Sequence, residues 1–348
     1  MSTNFLEAGR LGRAKAAYTT RRAELGTLTT LVNGASIPRE GDLVLARVME
    51  VGQHPRVELP GGRKAELYLD DEVVLCYGNR YAPDQFEAEV PNDLDYCHMV
   101  AGGGVAARVV SWHFDMEFPT VIEPVGLLAD RSGRVVNLRE FGLPSTPYIG
   151  PRPRTIAVVG TAMNAGKTTT AAGIVNGLTR AGLNVGAAKV TGTGAGKDLW
   201  LMRDAGAQTV LDFTDAGYPS TYKVPLPEVE QIVSTLTGHL AAGGAEAIIL
   251  EVADGLYQYE TACLLASPNF RAQVDGVIFA AGDAMGATAG VNWLQDHGLP
   301  VAGVGGLLTA SPLAMREAVA AVDVPVLDLY ALCDAGIVDR LGYLAIAA

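Results

Sequence analysis

Basic charge, paired cysteines and long apolar runs are what this 348-residue chain has little of. Lys and Arg number 26 against 38 Asp and Glu, and no basic block interrupts the resulting net charge of −12. An acidic surface repels phosphodiester backbones and anionic headgroups, so neither nucleic acid nor a membrane is expected as a partner. The four cysteines, Cys76, Cys97, Cys263 and Cys333, lie far apart and form no C-x-x-C pair. That spacing argues against a disulfide framework and a structural zinc site. Cys97-His98 with Cys76 and His113 fits no ligand pattern either. Every apolar run is broken well short of the ~20 residues a membrane helix needs, and no secretory signal is visible. A soluble, cytoplasmic protein is the expectation. With 49% hydrophobic and only 18% charged residues the chain should be ordered, and it is long enough for two cores.

What the chain does have is centred on residues 155–170. Thr155 to Val159 reads as a short buried strand, and Thr168 to Leu183 as a helix whose apolar side is Ala171, Ala172, Ile174, Val175 and Leu178. Between them, Gly160, Gly166, Lys167 and Thr168 are read against the G-x-x-x-x-G-K-[ST] pattern of a phosphate-binding P-loop. Glycines let successive N–H groups turn inward toward phosphate oxygens, and the helix adds its positive dipole end. The residues predicted to contact a nucleotide are Gly160, Thr161, Ala162, Met163, Asn164, Ala165, Gly166, Lys167, Thr168 and Thr169. Lys167 would reach the β- and γ-phosphates, and the Thr168 hydroxyl would join a Mg²⁺ shell.

Before this loop the texture is that of a β protein. Residues 8–30 read as a short surface helix. Leu43 to Val51, Lys64 to Leu69, Val73 to Tyr77 and Val105 to Trp112 read as strands, with a hairpin turn at Pro60-Gly61-Gly62. A small barrel or sandwich over about 40–142 follows. Gly78 to Phe86 is dense in polar and aromatic groups, which makes Arg80 and Tyr81 candidates for substrate selection. Gly102-Gly103-Gly104 permits a close backbone approach. Pro144, Pro147, Pro151 and Pro153 suit an extended connector. The organisation is therefore a β-rich domain with a leading helix (1–142), a Pro-rich linker (143–154) and a P-loop domain (155–348).

After the loop, strands alternate with helices. Strands are expected at 185–190, 247–252, 276–281, 301–304 and 324–329, and helices around 226–242, 256–267, 286–297 and 311–321. That alternation predicts an α/β fold, a mostly parallel sheet with helices on both faces and ligands at the carboxyl ends of its strands. Charged groups stand at those ends: Lys189 with Asp198 beyond it, then Glu251 with Asp254 beyond it, then Asp283. A Lys and two carboxylates beside a triphosphate loop could hold Mg²⁺ and steady a transferring phosphoryl group.

Residues 155–335 resemble the dethiobiotin synthetase branch of P-loop proteins, which includes the cobyrinate amide-synthase ATPase domains. The resemblance rests on Gly160-Thr161 opening the loop, Gly166-Lys167-Thr168 closing it, Lys189 ending the next strand, Asp198 opening an apolar helix and Glu251 to Gly255 at a strand end. It implies ATP as cosubstrate, Mg²⁺ held by Thr168, Asp198 and Glu251, Lys167 and Lys189 on the phosphoryl group, and a homodimer. Gly305 to Thr309 stands where that branch carries an adenine-binding Asn, and Thr161 where partition ATPases carry an extra Lys. Thr191 to Gly194, Asp212-Phe213 and Glu251 to Leu256 are in turn similar to the C-terminal domain of bacterial D-glutamate N-acetyltransferases.

The leading expectation is an ATP-dependent ligase or synthetase acting on a small-molecule carboxylate or amine through a phosphorylated intermediate, with Lys167, Lys189 and Glu251 as its catalytic groups. A small-molecule kinase, an acyl-CoA-dependent N-acetyltransferase with the loop on the CoA phosphates, and a regulatory nucleotide-binding module are the alternatives.

Overall fold

The computed structural model describes residues 2–145 and 148–343. It divides into two compact units. Unit 1 comprises residues 1–144 together with 193–197 and 213–223; unit 2 comprises 145–192, 198–212 and 224–348.

Unit 1 contains β1 (Ser2–Phe5), α1 (Arg10–Arg13), β2 (Lys15–Ala16), β3 (Thr30–Asn33), β4 (Leu43–Glu50), β5 (Arg56–Glu58) and β6 (Lys64–Glu66). It continues with β7 (Glu72–Tyr77), β8 (Phe86–Glu89), β9 (Cys97–Ala101), β10 (Val105–Trp112) and β11 (Thr120–Ala129). Strand β4 pairs with β7, β7 with β10, β10 with β9, β9 with β11 and β11 back with β4, so hydrogen bonding closes a ring. The period of two sends Val44, Ala46 and Val48 of β4 and Val73, Leu75 and Tyr77 of β7 into its interior with Met99, Ala106 and Ile122. Leu43, Leu45, Val74 and Cys76 point the other way, into a second buried layer with Leu28, Leu31 and Leu138. The β-rich half is a small barrel, with the Pro60–Gly62 hairpin between β5 and β6 as expected.

The leading helix is corrected. Only one α-helical turn forms, Arg10–Arg13 between Gly9 and Ala14, with two single 3-10 turns after it at Tyr18–Thr20 and Leu25–Thr27. The residues after Ala14 pair with β7 and bury Ala17, Tyr18, Thr19 and Thr20, so a stretch rich in Ala and Thr is consumed by the barrel. Two excursions from the second half of the chain also belong to unit 1, which a boundary drawn at one connector did not include. Arg21 pairs with Asp215 at 2.6 Å, and a Cβ on Gly103 would lie 2.0 Å from the carbonyl oxygen of Gly194. The glycine run does permit a close approach. Of the connector's prolines, Pro147 lies outside the described residues, as do 344–348 of the second half.

Unit 2 is built on β12 (Arg154–Gly160), β13 (Val185–Lys189), β14 (Thr209–Asp212), β15 (Ala247–Glu251), β16 (Gly276–Ala280) and β17 (Val301–Gly305). All pairings are parallel, in the order β14-β13-β15-β12-β16-β17. The connecting helices are α2 (Lys167–Arg180), α3 (Lys197–Asp204), α4 (Leu226–Ala242), α5 (Tyr259–Ala266), α6 (Pro268–Arg271), α7 (Ala284–Asp296) and α8 (Pro312–Ala321). Two short helices, α9 (Leu329–Cys333) and α10 (Ile337–Arg340), end the unit. Ile156, Val158, Ile249 and Ile278 pack with Ile174, Val175 and Leu178 of α2, while Ala157, Val159, Leu250 and Phe279 are buried on the opposite face. Sheets covered on both sides have this continuous apolar texture. This is the fold of a P-loop NTPase.

One strand was misplaced. Val324–Leu329 is no strand; it makes a lone bridge from Val326 to Val304. Pro325 has no N–H to give a ladder, and Asp328 caps α9. The sixth strand is instead Thr209–Asp212, at the edge beside β13.

Candidate functional site: the phosphate loop and the strand ends beside it

Strand β12 runs up the middle of the sheet and delivers Gly160; α2 leaves from Lys167 with Gly166 as its N-cap at φ 95°. Asn164 is also left-handed, at φ 61°. Alternating handedness of this kind turns successive amides to one side, as an anion nest requires. Five residues separate Gly160 from Gly166, one more than the G-x-x-x-x-G-K-[ST] spacing, so the first Gly of the strict pattern falls at position 161, which is Thr. The first-turn amides of α2 have no intrahelical acceptor and face the same loop. Lys167 folds back over it, donating to the carbonyl oxygen of Ala162 at 2.6 Å. Strand, loop and helix form a P-loop.

Three elements of unit 2 bring charged side chains beside Thr168. β15 lies next to β12, and its last residue, Glu251, stands opposite Val158 on one side and Lys189 of β13 on the other. The Thr168 hydroxyl donates to Glu251 Oε1 at 2.7 Å and lies 3.3 Å from Asp198 Oδ1. Asp198, in the first turn of α3, forms an ion pair with Lys189. Gly192, at φ 125°, makes room for that lysine: a Cβ there would come within 3.0 Å of its Cε. Lys167, Thr168, Lys189, Asp198 and Glu251 are thus brought together.

The electrostatics follow from burial. Glu251 is 2% exposed, and burial first, then the charge of Asp198, raises its carboxyl to about 7. Burial lowers the Lys167 ammonium below its ordinary value, against the pull of Glu251 and Asp254. Burial also opposes the charge on Lys189, but Asp198 and Glu251 outweigh it and hold the group above its ordinary value.

Mg²⁺ fits these donors. Glu251 Oε2 is buried without a hydrogen-bond partner, a costly arrangement unless a cation completes it. Among the described residues no cluster of three His, Cys, Asp or Glu could hold a metal alone. Mg²⁺ needs no such cage, since it is held by one or two carboxylates plus phosphate oxygens and water.

Neither a protein-family model nor a curated protein matches the chain. Among solved structures it is similar to the signal recognition particle receptor FtsY from Elizabethkingia anophelis in complex with GDP, at 16% identity over 52% of this chain and 58% of that one, TM-score 0.39. It is also similar to the signal recognition particle 54 kDa protein from Aeropyrum pernix K1 in complex with GDP, at 18% identity over 60% and 53%, TM-score 0.39. A third is the septum site-determining protein MinD from Pyrococcus horikoshii OT3 complexed with Mg-ADP, at 20% identity over 56% and 86%, TM-score 0.35. The chain spans a little over half the length of the first two.

Other candidates have other places. Asp283 caps α7, accepting from the Gly286 amide at 2.7 Å. Arg80 belongs to unit 1, is 6% exposed, and donates to Gln85 at 2.8 Å within its own loop. Tyr81 packs against Tyr222, ring centroids 5.5 Å apart. Gly306 takes the place of the absent Asn: at φ 90°, its Cβ would lie 2.4 Å from the Ala165 carbonyl oxygen, and Leu307 N–H donates to that oxygen at 2.9 Å. The segment after β17 therefore braces the P-loop with backbone alone. Asp254 and Gly255 carry more weight than the sequence reading gave them. Gly255 abuts the Thr161 carbonyl, with 2.1 Å to an added Cβ, and Asp254 before it is left-handed at φ 67°. Only a left-handed Asp before a Gly could have flagged the pair, and φ cannot be read from sequence. No helix among the described residues is long and apolar enough to cross a membrane.

Proposed function

We propose that unit 2 carries out Mg²⁺-dependent phosphoryl transfer from ATP to a small-molecule carboxylate or amine, as a ligase or synthetase working through a phosphorylated intermediate. The observation that carries this reading is the buried Glu251, hydrogen-bonded to the P-loop hydroxyl through one oxygen and without a partner on the other, beside a Lys189–Asp198 pair. The resemblance of these residues to the dethiobiotin synthetase branch supports the same reaction class, although a scaffold that only binds nucleotide would share its P-loop.

Thr168, Glu251 and Asp198 would hold Mg²⁺, which when bound offsets charge on the β- and γ-phosphates. The loop amides orient the phosphate chain. Lys167 exchanges its bond to Ala162 for phosphate oxygens, and Lys189 faces the transferring group from the neighbouring strand end. Catalysis is then positioning plus electrostatics, since phosphoryl transfer asks little covalent chemistry of the protein.

The test is ADP formation from Mg·ATP with and without a small-molecule extract, with Lys167→Ala as the blank. Losing that lysine should slow turnover by about 10²- to 10³-fold. ADP formed only with extract supports a ligase or kinase, and a stable phosphorylated product selects the kinase. Slow turnover indifferent to extract selects a regulatory NTPase. No ADP overturns the reading in favour of the acyl-CoA-dependent transferase.

A further inference from the structure

The ladder between β13 and β15 ends in an exchange of acceptors. Lys189 stands opposite Glu251, and the Val190 N–H donates to the Glu251 carbonyl oxygen at 2.9 Å, as a parallel pair requires. The same ladder would next carry the Ala253 N–H to the Val190 carbonyl oxygen. The Thr191 hydroxyl receives it instead, at 2.8 Å. The Ala253 carbonyl oxygen accepts in turn from the Thr261 hydroxyl of α5 at 3.1 Å. Both threonines are buried, so side chains, and not the sheet, satisfy the polar groups of Ala253.

The exchange shapes the site. Released from the ladder, the chain after β13 turns at Gly192, whose left-handed backbone (φ 125°) lies against the Lys189 stem. An added Cβ there would stand 3.0 Å from Lys189 Cε and 3.1 Å from Ala253 Cβ, so lysine stem, turn and clamped residue share one contact. Glu251 and Gly255 lie two residues to either side of Ala253. The first accepts from the Thr168 hydroxyl at 2.7 Å, and the second is seated on the Thr161 carbonyl. The fold itself does not ask for a hydroxyl at 191. Valine has the same branched shape, suits a strand end, and would let Ala253 pair with Val190 in the ordinary way.

We propose that Thr191 is a positioning residue of this site, its hydroxyl holding the end of β13 off the ladder so that the Lys189 ammonium meets the transferring phosphoryl group. This rests on the phosphoryl-transfer reading and deepens it, giving a role to the Thr191-Gly192 turn.

The test is a double-mutant cycle in the full chain. Thr191→Val keeps the shape and removes the hydroxyl; Lys189→Met keeps the stem and removes the charge. Mg·ATP and Mg·ADP affinities are measured by calorimetry. Thr191→Val should weaken Mg·ATP binding about tenfold and leave Mg·ADP near wild type, because Lys189 acts on the terminal phosphate. In the Lys189→Met background the same substitution should change neither. Thr191→Ser retains the hydroxyl and should keep the wild-type ATP-to-ADP ratio. A ratio unmoved by Thr191→Val, an equal loss in both backgrounds, or a Thr191→Ser protein as impaired as Thr191→Val overturns the proposal. A Thr191→Val chain that does not fold overturns it as well, since the hydroxyl would then serve the fold and not the site. Wild-type nucleotide binding that is absent, or indifferent to Lys167→Ala, overturns the underlying reading instead.

Discussion

A methyl group at residue 255 has nowhere to go. Its Cβ would lie 2.1 Å from the carbonyl oxygen of Thr161, 2.8 Å from the carbonyl carbon and 3.0 Å from Cα of Ala162. Carbon and oxygen rest about 3.3 Å apart in ordinary contact, so one backbone must retreat by about 1 Å. Both are main chain, and one is the P-loop. Overpacking of this kind costs about 1–3 kcal/mol, and a 1 Å misplacement of reacting groups about 10² in rate. Gly282 supplies the control, since nothing lies within 4 Å of a Cβ there and its φ is not positive. Gly282→Ala should stay within about 0.5 kcal/mol of wild type. The assay is thermal unfolding with and without Mg·ATP, followed by ADP formation. At about 2–4 °C per kcal/mol for a unit of this size, Gly255→Ala should melt several degrees early and lose most of its nucleotide-induced rise. A Gly255→Ala protein with the wild-type melting point, nucleotide rise and turnover would refute the close approach as a requirement of the site.

Three more outcomes are expected. In unit 1, burial and the nearby Arg80 lower His54 from 6.5 to about 4. The stability this carries, on the order of 3 kcal/mol, is complete above pH 6.5 and lost as pH falls toward 4. The urea midpoint of wild type should therefore drop more steeply on acidification than that of His54→Gln, and equal slopes would discount the group. Arg21→Ala removes the nearer of the two arginines paired with Asp215, which is 7% exposed, and leaves Arg22 at 3.5 Å. A loss of about 1.5–3 kcal/mol is expected, with faster amide exchange concentrated at 213–223; uniform exchange would contradict it. Glu251→Gln should shift the Mg²⁺ midpoint of ATP-induced stabilisation upward by at least about tenfold, and an unmoved midpoint would remove Glu251 from the metal shell.

The parts of the protein legible in the sequence are those written in local patterns. Thr155–Val159 and the helix after Gly166 announce themselves by a buried run, a glycine and a 3.6-residue apolar stripe, and the strand-end positions of Lys189 and Glu251 follow from alternation. Thr209–Asp212 is only four residues long and shows no strand pattern, whereas Val324–Leu329 reads as a strand but is interrupted by Pro325, so the ladder forms at the first and not at the second. Residues 8–30 carry helix-tolerant composition, but pairing with β7 overrode it. Asp254 and Gly255 were visible as letters and not as a left-handed turn against Thr161, because that contact joins segments nearly a hundred positions apart.

The partition of the chain has a consequence for its birth on the ribosome. Arg21 and Asp215 of unit 1 are 194 residues apart in sequence. At about 5–20 residues per second, some 10–40 s pass between synthesis of the two. When Ala129 ends the last barrel strand, Thr193–Lys197 and Phe213–Lys223, which complete the same unit, are still to be made. The nascent first two-fifths must therefore wait, with Gly103 and Arg21 uncovered, for residues encoded far downstream. A truncation after residue 144 freezes the chain in that waiting state, so excising residues 1–144 as an independent piece yields an unfinished fold.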